Sequence, residues 1–132
     1  MTKQTRDNLA AAMRGEAFAY AKYMLFAGRA RENGNAELAK LFERTANVEF
    51  FEHFAEEAQL AGLVGDDVAN LADAIAGETY EVSQMYREFA EAAAEAGDAD
   101  AARRFAEVRA DESKHRAAFE AMLAKMRLAT PV

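Results

Sequence analysis

Apolar positions recur every three to four residues along four long stretches, and a glycine-bearing turn closes each of the first three. The first stretch, from about Arg6 to Glu32, sets Leu9, Met13, Glu16, Tyr20 and Tyr23 on one face before the stop at Asn33-Gly34-Asn35. The second, from about Ala36 to Leu60, presents Phe42, Thr45, Glu49 and Glu52, and Ala61-Gly62-Leu63-Val64-Gly65 breaks it. Asp66 or Asp67 is placed to cap the third stretch, which carries Leu71, Ile75, Glu78, Glu81 and Tyr86 as far as Ala96-Gly97-Asp98. The fourth runs from about Ala99 to Leu128, and Ala129 to Val132 are expected to fray. No stretch alternates with the period of two that a strand requires. The pattern predicts one all-α domain over residues 1–132, a four-helix bundle of two helical hairpins, 6–60 and 67–128.

Acids and a histidine interrupt the apolar faces. Glu112 and His115, three residues apart on a helix, share a stripe with Phe105, Val108 and Phe119. An acid three residues before a histidine is a weak signal by itself in so acidic a chain. The chain, however, repeats itself. Asp7 to Glu16 reads like Ala69 to Glu78 at an offset of 62, with Asn8-Leu9 matching Asn70-Leu71 and Gly15-Glu16 matching Gly77-Glu78. Further on the offset is 63, pairing Tyr23 with Tyr86, Gly34 with Gly97, Phe42 with Phe105 and Glu49 with Glu112. In that register Glu52 answers His115. Each half therefore carries a Glu on its first helix, and a Glu plus a second ligand-type residue on its second. Facing one another, the halves would bring Glu16, Glu49, Glu52, Glu78, Glu112 and His115 together, the layout of a ferritin-like dinuclear carboxylate site. His53, four residues after Glu49, is a second candidate beside Glu52.

Composition narrows the chemistry. With no cysteine among 132 residues, disulfides, thiolate zinc, iron–sulfur clusters and thiol nucleophiles are excluded. A net charge of −7 argues against nucleic acid and anionic membrane as partners. No apolar run is long enough to span a membrane and no leader pattern is present, so a cytoplasmic protein is expected. Carboxylates with one imidazole suit two iron ions, accept manganese and tolerate zinc. The metals are expected about 3.5–4 Å apart, the usual dinuclear spacing, bridged by Glu49 and Glu112.

Across nearly its whole length the chain resembles the rubrerythrins. Asn70-Leu71, Gly77-Glu78-Thr79-Tyr80-Glu81 and Met85-Tyr86 are similar to the opening of that family's second hairpin, and Asn8-Leu9, Gly15-Glu16 and Tyr23 to the first. The resemblance implies a ferritin-like fold and reduction of hydrogen peroxide at a diiron site. It implies Glu16, Glu49, Glu78, Glu81, Glu112 and His115 as ligands. Rubrerythrins usually have His where Glu52 stands; a carboxylate there, giving six Glu and one His, is similar to the symerythrin branch. Many of them also carry a four-cysteine rubredoxin module, so an external donor, rubredoxin-like or a flavin reductase, is expected to supply electrons. A ferritin-type iron-binding protein that oxidises iron with dioxygen is the alternative. Tyr23 and Tyr86 are expected to hydrogen-bond and orient ligand carboxylates.

Two further expectations come from lengths. Glu16 to Tyr23 is seven residues but Glu78 to Tyr86 is eight, which predicts a π-bulge near Glu81. If helices 2 and 3 run parallel past a shared site, their linked ends lie roughly 33 Å apart at 1.5 Å per residue. Six residues span at most about 20 Å, so the chain is expected to form a domain-swapped homodimer.

Overall fold

The structure, a computed structural model, describes residues 1–129. All its regular elements are helical: α1 (Lys3–Glu32), α2 (Ala36–Val48), a π turn (Glu49–Phe54), α3 (Ala55–Ala61), α4 (Asp67–Tyr80), a second π turn (Glu81–Met85), α5 (Tyr86–Ala96) and α6 (Ala99–Ala129). The chain divides into two compact units at Val64–Gly65. In the first, α1 packs against the continuous rod α2–π–α3; in the second, α4–π–α5 packs against α6. The expected fraying after Leu128 falls mostly on residues 130–132, outside the described ones; α6 itself reaches Ala129.

Local chemistry sets the ends of these helices. The side chains of Thr2, Asn35 and Asp66 each accept a hydrogen bond from a backbone N–H three residues on, satisfying one of the donors a helix start leaves open. Of the two capping candidates, Asp66 does the work, at 2.8 Å from the Ala69 nitrogen. Gly34 and Gly97, equivalent in the repeat, both end their helices with positive φ, 75° and 82°.

Each hairpin closes on the same aromatic triangle. Tyr23, Phe26 and Phe42 have ring centroids 5.4–6.3 Å apart. Tyr86, Phe89 and Phe105, their equivalents at an offset of 63, lie 5.6–6.3 Å apart. Otherwise the helices of the first hairpin meet through small residues. Among the described residues the buried hydrophobic side chains are alanines of the first hairpin, Ala27, Ala30, Ala39, Ala46 and Ala58, while Phe18, Leu25 and Phe51 are exposed. Two helices cannot cover both sides of an apolar stripe.

The π-bulge expected near Glu81 is present: the Tyr86 N–H bonds the Glu81 carbonyl, five residues back. Widening the turn diverts the Val82 carbonyl, which accepts instead from Arg109 Nε of α6 at 2.7 Å. The first hairpin has a longer π turn, Glu49–Phe54, that the apolar period and the repeat offsets did not lead us to expect. There the Ala55 N–H reaches the Phe50 carbonyl, and Phe50 stacks on Phe54 with rings 5.8 Å apart and 8° from parallel. Tyr20 of α1 packs on the same Phe50 at 5.2 Å.

Candidate metal centre

The two hairpins carry matching clusters. Glu16 of α1 stands beside Glu49 and His53 of the first π turn; Glu78 of α4 stands beside Glu112 and His115 of α6. In each cluster one donor atom from every residue lies within 4.8 Å of the others. The imidazole Nδ1 lies nearest the Glu on its own helix, 3.2 Å for His53–Glu49 and 2.8 Å for His115–Glu112. It lies 3.6 Å from the Glu of the neighbouring helix in both hairpins, His53–Glu16 and His115–Glu78.

Of the residues expected at the site, five fall in these clusters: Glu16, Glu49, Glu78, Glu112 and His115. Glu52 lies outside both and is exposed. His53 stands where the repeat register had put Glu52, and the π turn is the reason. With i→i+5 hydrogen bonds the turn is wider, so the residue four on, rather than three on, lies over Glu49. The stacked Phe50 and Phe54 show the same i,i+4 alignment one residue along. A signal for this was present, because the offset is 63 at Glu49–Glu112 but falls back to 62 at His53–His115. Each slip of the repeat marks an inserted residue, and each inserted residue lies in a π turn.

Glu81 is half-buried at the start of the second π turn, close enough for its charge to act on Glu78 and Tyr86. Among the described residues no hydrogen bond joins the Tyr23 or Tyr86 phenol to a cluster carboxylate; both rings pack in the aromatic triangles. Burial, then the Glu81 and Glu112 charges, hold the Tyr86 hydroxyl above its ordinary value, so it stays protonated.

The electrostatics of the clusters are those of sites built for cations. Glu16 is held up by its hydrogen bond to Glu49 and by burial, while Glu49 is held down by the same bond. In the second hairpin burial and then the bond to Glu112 raise Glu78, and Glu112 is lowered. In each pair one carboxyl is raised and the other lowered, the response of two like charges held close together. Glu49 and Glu112 raise His53 and His115 through their hydrogen bonds. Even so, Glu78 Oε2 is buried without a hydrogen-bond partner among the described residues. Two carboxylates, an imidazole and an orphaned buried oxygen fit a hard or borderline divalent metal.

Sequence comparison gives this geometry its context. The rubrerythrin family model matches residues 7–53 and 47–123. The chain belongs to the rubrerythrin family. It is 39% identical to nigerythrin of Nitratidesulfovibrio vulgaris over 124 residues, covering 84% of this chain and 61% of that protein. It is 34% identical to rubrerythrin of the same organism over 129 residues, 88% of this chain and 67% of that one. Among solved structures, fully reduced nigerythrin is 32% identical, with a TM-score of 0.49 over all of this chain and 71% of the other. The chain therefore spans about three-fifths of the curated nigerythrin it matches. Its fold class is all-α and ferritin-like, a diiron-protein family built on repeated helical hairpins. Among the described residues no helix is long and apolar enough to cross a membrane.

Proposed function

We propose that this protein is a diiron oxidoreductase that reduces hydrogen peroxide. The observation that carries the reading is the duplicated Glu-Glu-His cluster, one per hairpin, with matching internal distances. Glu16, Glu49 and His53 from one hairpin, with Glu78, Glu81, Glu112 and His115 from the other, would hold two iron ions, and manganese or zinc would fit the same donors. Bound there, iron supplies the two electrons that cleave the O–O bond of peroxide. The residues do the rest. Glu49 and Glu112, each beside the imidazole of its own helix, would hold metal together with that imidazole. Metal binding takes ionised carboxylates and neutral imidazoles, so loading would release whatever protons these groups hold. Tyr86, kept protonated, remains a donor beside Glu81 and Glu112.

These 132 residues carry no cysteine, so the electrons come from a redox centre outside them, of rubredoxin or flavin type. The two hairpins form one four-helix domain by exchange between chains. Helix α3 ends at Ala61 and α4 starts at Asp67, which leaves five residues, 62–66, to join them. That link is too short to run from one end of a bundle to the other. A closed dimer, in which the first hairpin of one chain meets the second hairpin of its partner, covers the exposed apolar faces of both.

Anaerobic loading with ferrous iron followed by one equivalent of hydrogen peroxide tests the activity. The expected result is fast two-electron oxidation of the bound iron with little hydroxyl radical. Slow reaction with peroxide but rapid oxidation by dioxygen, with growth of a ferric mineral, would overturn it in favour of iron handling.

A further inference from the structure

Where the two halves of the repeat agree, they build the clusters; one face on which they disagree belongs to α1 alone. Arg14, Phe18, Lys22, Leu25 and Arg29 follow one another at steps of three or four residues, so they form a single stripe along that helix. Phe18 stands two residues and Leu25 nine residues from Glu16, about 200° and 180° around the helix axis. The stripe therefore points away from the cluster and from the rod on which α1 packs. A partner hairpin seated over the cluster leaves it open. Phe18 is 68% and Leu25 76% exposed, and Lys22 Nζ stands 5.5 Å from the centre of the Phe18 ring, a cation held against the apolar patch.

The stripe is cationic in an acidic chain. From Asn8 to Arg31, α1 holds the cations Arg14, Lys22, Arg29 and Arg31 and a single acid, Glu16, which faces the cluster, whereas the whole chain carries −7. Among the described residues Arg14 and Lys22 have no ion pair, and Arg29 meets only the exposed Glu32, at 3.4 Å. In the second hairpin the places of Arg14, Phe18, Leu25 and Arg29 are taken by Ala76, Tyr80, Glu88 and Ala92, so neither cation recurs and the leucine gives way to an acid. Packing that both hairpins share does not require the stripe. Exposed apolar side chains set among unpaired cations fit an acidic protein surface with an apolar centre. A second copy fits poorly, because stripe against stripe sets these cations against themselves. An anionic bilayer is repelled by the chain's net charge. Reducing one peroxide to two waters consumes two electrons and two protons, so a one-electron donor has to dock, leave and return within each turnover. A patch one helix wide and about 22 Å long suits so brief an encounter, since electron-transfer interfaces are small.

We infer, on the diiron reading given above, that the Arg14–Arg29 face of α1 is the docking site of an acidic electron-donor protein. One helix, about 10 Å across, then separates donor from cluster. The probe is a rubredoxin of net negative charge. Calorimetry of its binding to the metal-free protein is one readout, and stopped-flow reduction of the oxidised, iron-loaded protein is the other, with dithionite as a reductant that needs no docking face. Combining Arg14→Glu, Lys22→Glu and Arg29→Glu should slow reduction by rubredoxin about 10–100-fold at low salt and flatten its salt dependence. Combining Phe18→Ala with Leu25→Ala should weaken rubredoxin binding roughly tenfold. Reduction by dithionite should keep its wild-type rate in both variants. Wild-type affinity and rates with rubredoxin in both variants would overturn the docking site, as would a wild-type protein that binds neither rubredoxin nor an acidic flavodoxin. Charge reversal that leaves rubredoxin unaffected but abolishes a larger assembly in sedimentation, or binding to phosphatidylglycerol vesicles, would overturn it in favour of a second copy or a membrane. Bound iron that peroxide does not oxidise would overturn the diiron reading instead, and the calorimetry, made without metal, keeps the two failures apart.

Discussion

Complementation between two defective chains provides the strongest test of the exchanged dimer. Glu49→Ala damages the first hairpin and Glu112→Ala the second. In a swapped dimer of either variant alone, every site draws one damaged hairpin, so both homodimers lose tight binding at both sites. In the heterodimer one site receives both damaged hairpins and the other receives neither. The proposed exchange rests on a length. Were Glu49 and Glu78 level in parallel helices, the 12 residues from Glu49 to Ala61 and the 11 from Asp67 to Glu78 would separate the helix ends by roughly 35 Å at 1.5 Å per residue. The link from Ala61 to Asp67 reaches about 20 Å when fully extended. Coexpressing the two chains with different affinity tags and purifying through both isolates the heterodimer. Its chelator-resistant manganese should be about half the wild-type content per chain, while each homodimer retains little. In an equimolar mixture at random pairing, about one quarter of all sites should be intact. A heterodimer that binds no better than its parents would refute the exchange, because unswapped chains each keep their own defect.

Three further outcomes follow from contacts within single hairpins. Arg109→Leu should cost about 1–2 kcal/mol in urea unfolding, since it leaves the half-buried Val82 carbonyl without its charged donor, and should speed amide exchange across residues 81–86; an unchanged midpoint would show that water replaces the guanidinium. Asp66→Ala should cost about 1 kcal/mol by removing the acceptor of the Ala69 N–H, whereas Asp66→Asn should restore most of it. In metal-free protein His53 and His115 should titrate above an ordinary imidazole, as the Glu49 and Glu112 hydrogen bonds require. A folded-state value raised above the unfolded one stabilises fully below the unfolded value, near 6.5. That contribution is lost as pH rises through the raised value. Metal affinity should run the other way and climb with pH across the same interval, because binding takes neutral imidazoles; proton resonance of the two rings and manganese titrations at pH 6 and 8 read both.

Helices, caps and turns follow from neighbours in the sequence. A 3.6-residue period, an Asp before a helix and a Gly at positive φ act over one or two turns, so α1 to α6 and the ends at Gly34 and Gly97 could be read from local pattern. The cluster acids were readable for a related reason: recurrence at a constant offset places equivalent residues on equivalent faces without knowledge of what packs against them. The slip from 62 to 63 located the second π turn because Tyr86 has to stay in its aromatic triangle. Glu52 against His53 could not be settled in that way. Both residues suit a metal, and an α turn favours neither strongly, since residues three and four on are both neighbours. The choice depends on whether Glu49 to Phe54 winds as α or π, two forms separated by a single shifted hydrogen bond per residue. That balance is tipped from outside the segment. Tyr20 of α1 supports the Phe50–Phe54 stack, as Arg109 of α6 holds the Val82 carbonyl in the other hairpin. Partners 30 and 27 residues away in sequence supply these contacts, so the imidazole enters the first cluster only once the hairpin has closed.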